Sequence, residues 1–440
     1  MATATDVRHL LRRATLGPTA AEVDAAVTAG YDAALAALLT PAGTDPGATA
    51  TPVPVSGPDP RPAGTPGTDR AAAQAARAAA REQVRTITAW WLERMVAARY
   101  GWVEALTFFW HGHFATSVQK VRSAALMLGQ QRTFRDLGHG DFGALLGAML
   151  RDPALVLWLD GQRNTRTAPN ENLAREVMEL FTLGIGHYSE ADVRAAARAL
   201  TGWRLDRGTG GLTLDPARHD SGTKTILGRT GDIDTAGFAA ILLAQPAHAE
   251  FLAARMWYRF ASGDPVPPDT LARLAGAYRP ARDVTALARA VFTDPAFPGT
   301  ARGLVKAPVQ WLVGALRQLG VRPSALPVPV ARALPAGLTA LGQTLFAPPS
   351  VGGWPAGTAW LTTSATQQRL RLGTLLAGHA DPAVTAALSG TGTAGRVDAL
   401  ARLLVLDGFT DRTRGVLERA GCDPARLLAL GLASPEYAVC

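Results

Sequence analysis

The chain has 440 residues, enough to bury a large core in one or two domains. Its Ala-, Leu- and Arg-rich stretches lack any sustained period-2 run of β-branched or aromatic residues, which points to an all-α protein. The net charge of +8 is spread along helical stretches rather than clustered, which argues against nucleic acid as a partner. No run of about 20 apolar residues is present to cross a membrane.

In chain order, Met1 to Leu16 contains Arg12 and Arg13 but no apolar core of an export signal, so a cytoplasmic protein is expected. Asp6 can cap a first helix. Thr19 and Glu22 form a capping box for a second, which Gly30 ends before Tyr31 to Leu39. Residues 41–68 turn to Pro, Gly, Thr and Asp and read as a flexible surface excursion. A long helical stretch follows from Asp69 to about Trp110, with Tyr100-Gly101 as its break point and a polar Ala/Arg-rich beginning that projects from the body.

Further helices are expected at 119–133, 141–151, 171–184, 190–203, 235–244, 247–262, 269–277, 283–293, 303–319, 329–344 and 365–378. Residues 208–229 and 346–360 are too rich in Gly, Pro and Thr to be helical, and loops of that kind on a rigid frame are where chemistry is usually found. The expected organisation is a core domain over 1–375 and a small helical C-terminal appendage over 376–440. Cys422 and Cys440 are the cysteines, so no disulfide framework is available and a metal would have to be held by His and carboxylates.

Three segments carry residue types suited to chemistry. Asn170 opens a helix on which Leu173, Ala174, Val177, Met178, Leu180 and Phe181 fill one arc and Glu171, Asn172, Arg175, Glu176, Glu179 and Thr182 the other. Glu176 and Glu179, at i,i+3, can present two carboxylates to one ion. The plainer reading is a surface helix with Glu171/Arg175 and Arg175/Glu179 pairs. In Phe108-Phe109-Trp110-His111-Gly112-His113-Phe114 the two histidines have a recurrent metal-ligand spacing, yet on a helix they diverge by about 200° and meet one ion only where Gly112 bends the chain. His219-Asp220-Ser221-Gly222-Thr223-Lys224 offers a ligand, an orienting carboxylate and a cation, or else an ordinary turn. Among the 44 basic residues only Lys120, Lys224 and Lys306 are lysine, so those positions draw attention as places where an ammonium is not replaced by guanidinium.

Taken in order, several motifs form a set. They are His9-Leu10-Leu11-Arg12-Arg13, Phe109 to Phe114, Asp152-Pro153-Ala154, Asn170 to Gly186, Glu190 to Val193 and Ala199 to Trp203. His219-Asp220 with Lys224 and Leu227-Gly228, Val305-Lys306 with Pro308, and Gly352-Gly353-Trp354-Pro355 complete it. In this set the chain resembles the bacterial family catalogued as domain of unknown function 1800, over most of its length to about residue 375. The resemblance implies a mostly helical fold, marks the Asn170 segment as the family's signature, and assigns no reaction.

Two readings stand. In the first, an enzyme with a polar centre binds a divalent metal through His111, His113, Glu176, Glu179 and His219, with Lys224, Asp220, Glu171 and Arg175 as its catalytic groups in hydrolytic or oxidative chemistry. In the second, a non-catalytic helical protein docks a partner and the same residues are structural locks. The partner is a small molecule or another protein. The first reading requires His111, His113, Glu176 and His219 to converge in one cavity.

Overall fold

A computed structural model describes residues 3–57, 59–60, 70–301, 303–389, 392–421 and 423–440. The first helix, Ala4–Ala14, is capped by Thr3, with Asp6 as the reciprocal partner of a capping box rather than as the cap itself. Thr19 and Glu22 form the second box as expected, and Gly30 ends that helix at φ 85°.

The long helical stretch divides where Tyr100-Gly101 suggests, into Arg70–Ala97 and Gly101–His113. The first of these is exposed over its polar opening and buries Ile87, Trp91, Leu92, Met95 and Val96, an i,i+4 stripe that docks only its final turns. The second is apolar nearly all round, as befits a helix at the centre of the core: Trp102, Ala105, Leu106, Phe108, Phe109 and Trp110 are all buried. Within that core Glu104 is buried. Its carboxylate accepts from Trp91 Nε1 (3.3 Å), Arg94 Nε (2.9 Å) and Arg135 Nε and Nη2 (2.9 and 2.8 Å). Three helices are thereby tied at one point.

Two expectations are corrected. Residues 45–51 are not a loose excursion: Asp45 is buried and caps Pro46–Ala50, and its carboxylate also accepts from the Arg99 and Tyr100 amides. Residue 58 and residues 61–68 of that stretch lie outside the described residues, as does Cys422. The fold is also mostly rather than wholly α. Within the 203–231 region two antiparallel pairs form, Trp203–Leu205 with Leu212–Leu214 and Lys224–Ile226 with Arg229–Gly231. Strands of three residues are too short to show an alternation in sequence.

The boundary expected at 375 falls inside the helix Thr363–Ala377, which packs along Pro424–Leu432. Trp311 Nε1 donates to the Leu432 carbonyl (2.9 Å), the Tyr437 hydroxyl to Gln318 (2.8 Å), and the Cys440 amide to the Leu304 carbonyl (2.8 Å). These contacts return the chain end to Pro308–Gln318 and the segment before it. Among the described residues no single helix is long and apolar enough to cross a membrane.

Candidate functional site

In the Asn170 segment the helix runs Asn172–Glu176, with Glu171 rather than Asn170 at the N-cap position; the Asn170 side chain accepts from the Asn172 amide (3.0 Å), and Arg175 bonds Glu171 (3.0 Å). Arg175 turns to Glu190 (2.7 Å) instead of Glu179, which accepts from the Tyr188 hydroxyl (2.6 Å). Glu176 is half-buried, and burial together with Glu179 pushes its carboxyl pKa up. After Glu176 the helix widens into a π-helix over Val177–Thr182, with the Leu183 and Gly184 amides both reaching back to the Met178 carbonyl (2.9 and 3.2 Å). The carbonyls left over at the helix end are put to use. Phe181 O accepts from His113 Nε2 (3.0 Å), and Thr182 O takes His248 Nδ1 (3.1 Å), whose Nε2 meets the Tyr278 hydroxyl (2.7 Å).

The five proposed metal ligands are not assembled. His111 and His113 lie on one helix and diverge as that geometry dictates, because Gly112 stays helical and bends nothing. His111 is enclosed by Trp91, Phe346 and Trp354, with ring centroids 5.1–5.6 Å away, and neither ring nitrogen has a protein partner. Burial lowers its pKa to about 3. His219 is tied through Nδ1 to the Thr201 carbonyl (2.9 Å), and Glu179 to Tyr188. No group of three or more His, Cys, Asp or Glu side chains placed to hold an ion occurs among the described residues.

The proposed catalytic set separates as well. Asp220 is paired with Arg198 (2.6 Å), whose hydrogen bonds hold its pKa below the usual carboxylate range. Lys224 is buried and bonds the Gly222 carbonyl (2.8 Å) and Asp232 (3.0 Å). Glu171 and Arg175 form the half-exposed pairs described above. Of the other lysines, Lys120 bonds the Trp158 carbonyl and Asp160. Lys306 is buried with its ammonium 3.6 Å from the centroid of the Tyr437 ring, and burial pulls its pKa down to about 7.

Three of the sequence motifs do meet, at a cleft of about 450 Å³. Its walls are Phe108, Phe109, Gly112 and His113 from the central helix, Arg255, Tyr258 and Arg259 from Pro246–Phe260, the 303–307 segment, and the loop from Gly352 to Trp360. Trp354 stacks on Phe108 (centroids 5.7 Å, planes 17° apart) and gives the cleft an aromatic face. Gln310 and Gln343, both buried, contribute amides. His113 is 2% exposed and its Nδ1 has no protein partner. A carbonyl can only accept, so Nε2 carries the hydrogen given to Phe181 and Nδ1 is left as a lone pair. Burial and, after it, the charge of Arg255 hold this imidazole neutral by moving its pKa well below the ordinary value.

The loop closes on the helix at one point of backbone contact. Gly353 has φ 86°, and a Cβ there would lie 2.6 Å from the Gly112 carbonyl oxygen. Gly353→Ala is therefore expected to combine left-handed strain with a backbone clash and to cost about 2–4 kcal/mol, read as a shifted urea midpoint. Gly352→Ala, whose Cβ would approach only the Ser350 hydroxyl at 3.6 Å, is the control and is expected to cost little.

Arg255, Arg259 and Gln310 were not singled out in the sequence. Arginines one helical turn apart read as a solvated face. The one signal available is that no acidic residue stands three or four positions from either of them. Compared with known proteins, a family profile described as protein of unknown function (DUF1800) matches residues 9–439. The likeness thus runs well past residue 375, to the end of the chain. No curated protein and no solved structure matches.

Proposed function

The chain belongs to the DUF1800 family, and from that premise we propose that it recognises a small organic molecule in the cleft between Gly112-His113 and Gly352-Pro355. His113 Nδ1 there receives a hydroxyl or amine hydrogen of the bound molecule. The observation that carries this reading is the state of His113. It is a buried imidazole whose tautomer is set from behind by the Phe181 carbonyl and whose remaining nitrogen lacks a partner in the protein. A buried polar atom without a hydrogen bond costs about 1–3 kcal/mol, and this one belongs to a residue lining a cleft of ligand size. The signature segment is then a positioning device, because its π-turn supplies the carbonyl that orients His113. The metal-centred reading is set aside, and the small-molecule partner is kept.

Two measurements test the proposal. Fragment soaks are expected to place molecules in this cleft, and Thr358→Trp, which fills it from its exposed rim, is expected to abolish their binding. Histidine ¹⁵N spectra at pH 7 are expected to show His113 with Nδ1 unprotonated and shifted on ligand addition. Fragments found only elsewhere on the surface, or a protonated Nδ1, would overturn it.

A further inference from the structure

Arg255 and Arg259 stand one turn apart on the helix Pro246–Phe260, so their guanidinium groups share a face and repel each other. Both are half-buried, both line the cleft, and neither is paired with a carboxylate among the described residues. Arg259 lies over the neighbouring Phe260 ring (5.1 Å) and interacts electrostatically with the buried Cys440. The carboxylate that the cleft does contain, Asp264, is engaged with Ser262: it accepts from that hydroxyl (3.3 Å), while the Asp264 amide donates back to it (3.1 Å).

Behind the cleft the positive charge continues. Arg13 donates to the Thr300 carbonyl and to Cys440 Sγ (3.6 Å). Arg369, 3% exposed, donates one hydrogen bond to the Trp360 carbonyl (2.9 Å), and its Nε and Nη2 have no protein partner. At Arg259 burial lowers the pKa, Cys440 raises it and Arg13 lowers it again. Two arginines desolvated beside further cations are costly to keep, unless something negative sits with them.

On the basis that the cleft is a ligand site, we propose that its ligand is an organic oxyanion, a carboxylate or a phosphate ester. Arg255 and Arg259 grip the anionic group, and an aromatic or other flat part of the molecule lies against Trp354. Guanidinium forks match the geometry of such oxygens, and a recessed, poorly hydrated site strengthens the bonds. Inorganic phosphate would use the same two side chains without the aromatic face. The organic ligand is expected to bind more tightly by what Trp354 adds.

The test compares benzoate, phenyl phosphate, inorganic phosphate and the neutral benzamide by calorimetry on the full chain. At least one of benzoate and phenyl phosphate is expected to bind tenfold or more tightly than benzamide, and more tightly than inorganic phosphate, with affinity falling as salt is added. Arg255→Gln and Arg259→Gln are each expected to lose about tenfold in anion affinity, with helical circular dichroism at the wild-type level showing that the variants fold. Arg255→Lys should recover part of the loss. Benzamide binding as well as the anions, or anion affinity unchanged in both Gln variants, overturns the inference and leaves the cleft reading in place. Absence of all four from the cleft overturns both.

Discussion

Lowering the pH from 7 to 5 is expected to remove about 5–7 kcal/mol of folding free energy, most of what a domain ordinarily has. Four histidines are buried: His9, His111, His113 and His248. Burial is the main cause in each, lowering His9 and His248 to about 4, His111 to about 3, and His113 well below its ordinary value. Protonation is thus easier in the unfolded chain, at about 6.5, than in the folded one. The stability these groups contribute is complete above pH 6.5 and is lost as the pH falls from there toward 3–4. At pH 5 each removes about 2 kcal/mol. Asp152 works the other way: burial raises it to about 6, so acid returns about 1 kcal/mol. Urea melts at half-unit intervals between pH 7.5 and 4.5 should show the midpoint falling from just below pH 6.5. His111→Phe, which suits an aromatic cage, should flatten the slope by about a quarter. A midpoint that holds steady down to pH 4.5 would exclude neutral burial of these rings.

Much of the local structure was legible because local chemistry sets it. The Thr19/Glu22 box, the stop at Gly30 and the break at Tyr100-Gly101 each depend on residues within a few positions. The candidate site was legible only in pieces. Gly112-His113, Val305 and Gly352-Pro355 were marked as notable, but their meeting is a matter of tertiary packing across some 240 positions, on which helical periodicity is silent. Residues chosen for their chemistry are satisfied by nearby partners instead: Tyr188 takes Glu179, Arg198 takes Asp220, Asp232 takes Lys224. The π-turn could not be read either. Val177 to Thr182 has no propensity that separates it from an α-helix, and the pull that favours the wider turn comes from His113 and His248, which need the carbonyls of Phe181 and Thr182.

Glu104→Ala is expected to cost about 3–5 kcal/mol, the largest loss foreseen for a single substitution. The carboxylate is 1% exposed, and burial alone would raise its pKa. Arg135 and Arg94 outweigh burial and bring it down to about 2. Removing it strands two guanidinium groups and the Trp91 N–H inside the protein, an uncompensated charge rather than a missing contact. Glu104→Gln keeps an acceptor without the charge and should lose roughly half as much. Adding Arg94→Leu to Glu104→Ala should restore part of the deficit, which a simple cavity would not permit. Because Glu104 stays charged to about pH 2, the histidine-driven slope between pH 6.5 and 5 should be unchanged in Glu104→Ala, and the two effects add as for separate sites. The consequence reaches the cleft through the backbone: Glu104 anchors the same helix, Gly101–His113, that carries His113 at its far end. In urea short of global unfolding, Glu104→Ala is therefore expected to show faster hydrogen exchange at His113 and in the Gly352-Pro355 loop before the Pro424–Leu432 helix responds. Uniform exchange across all three would place Glu104 in the global fold alone, with no preferential hold on the site.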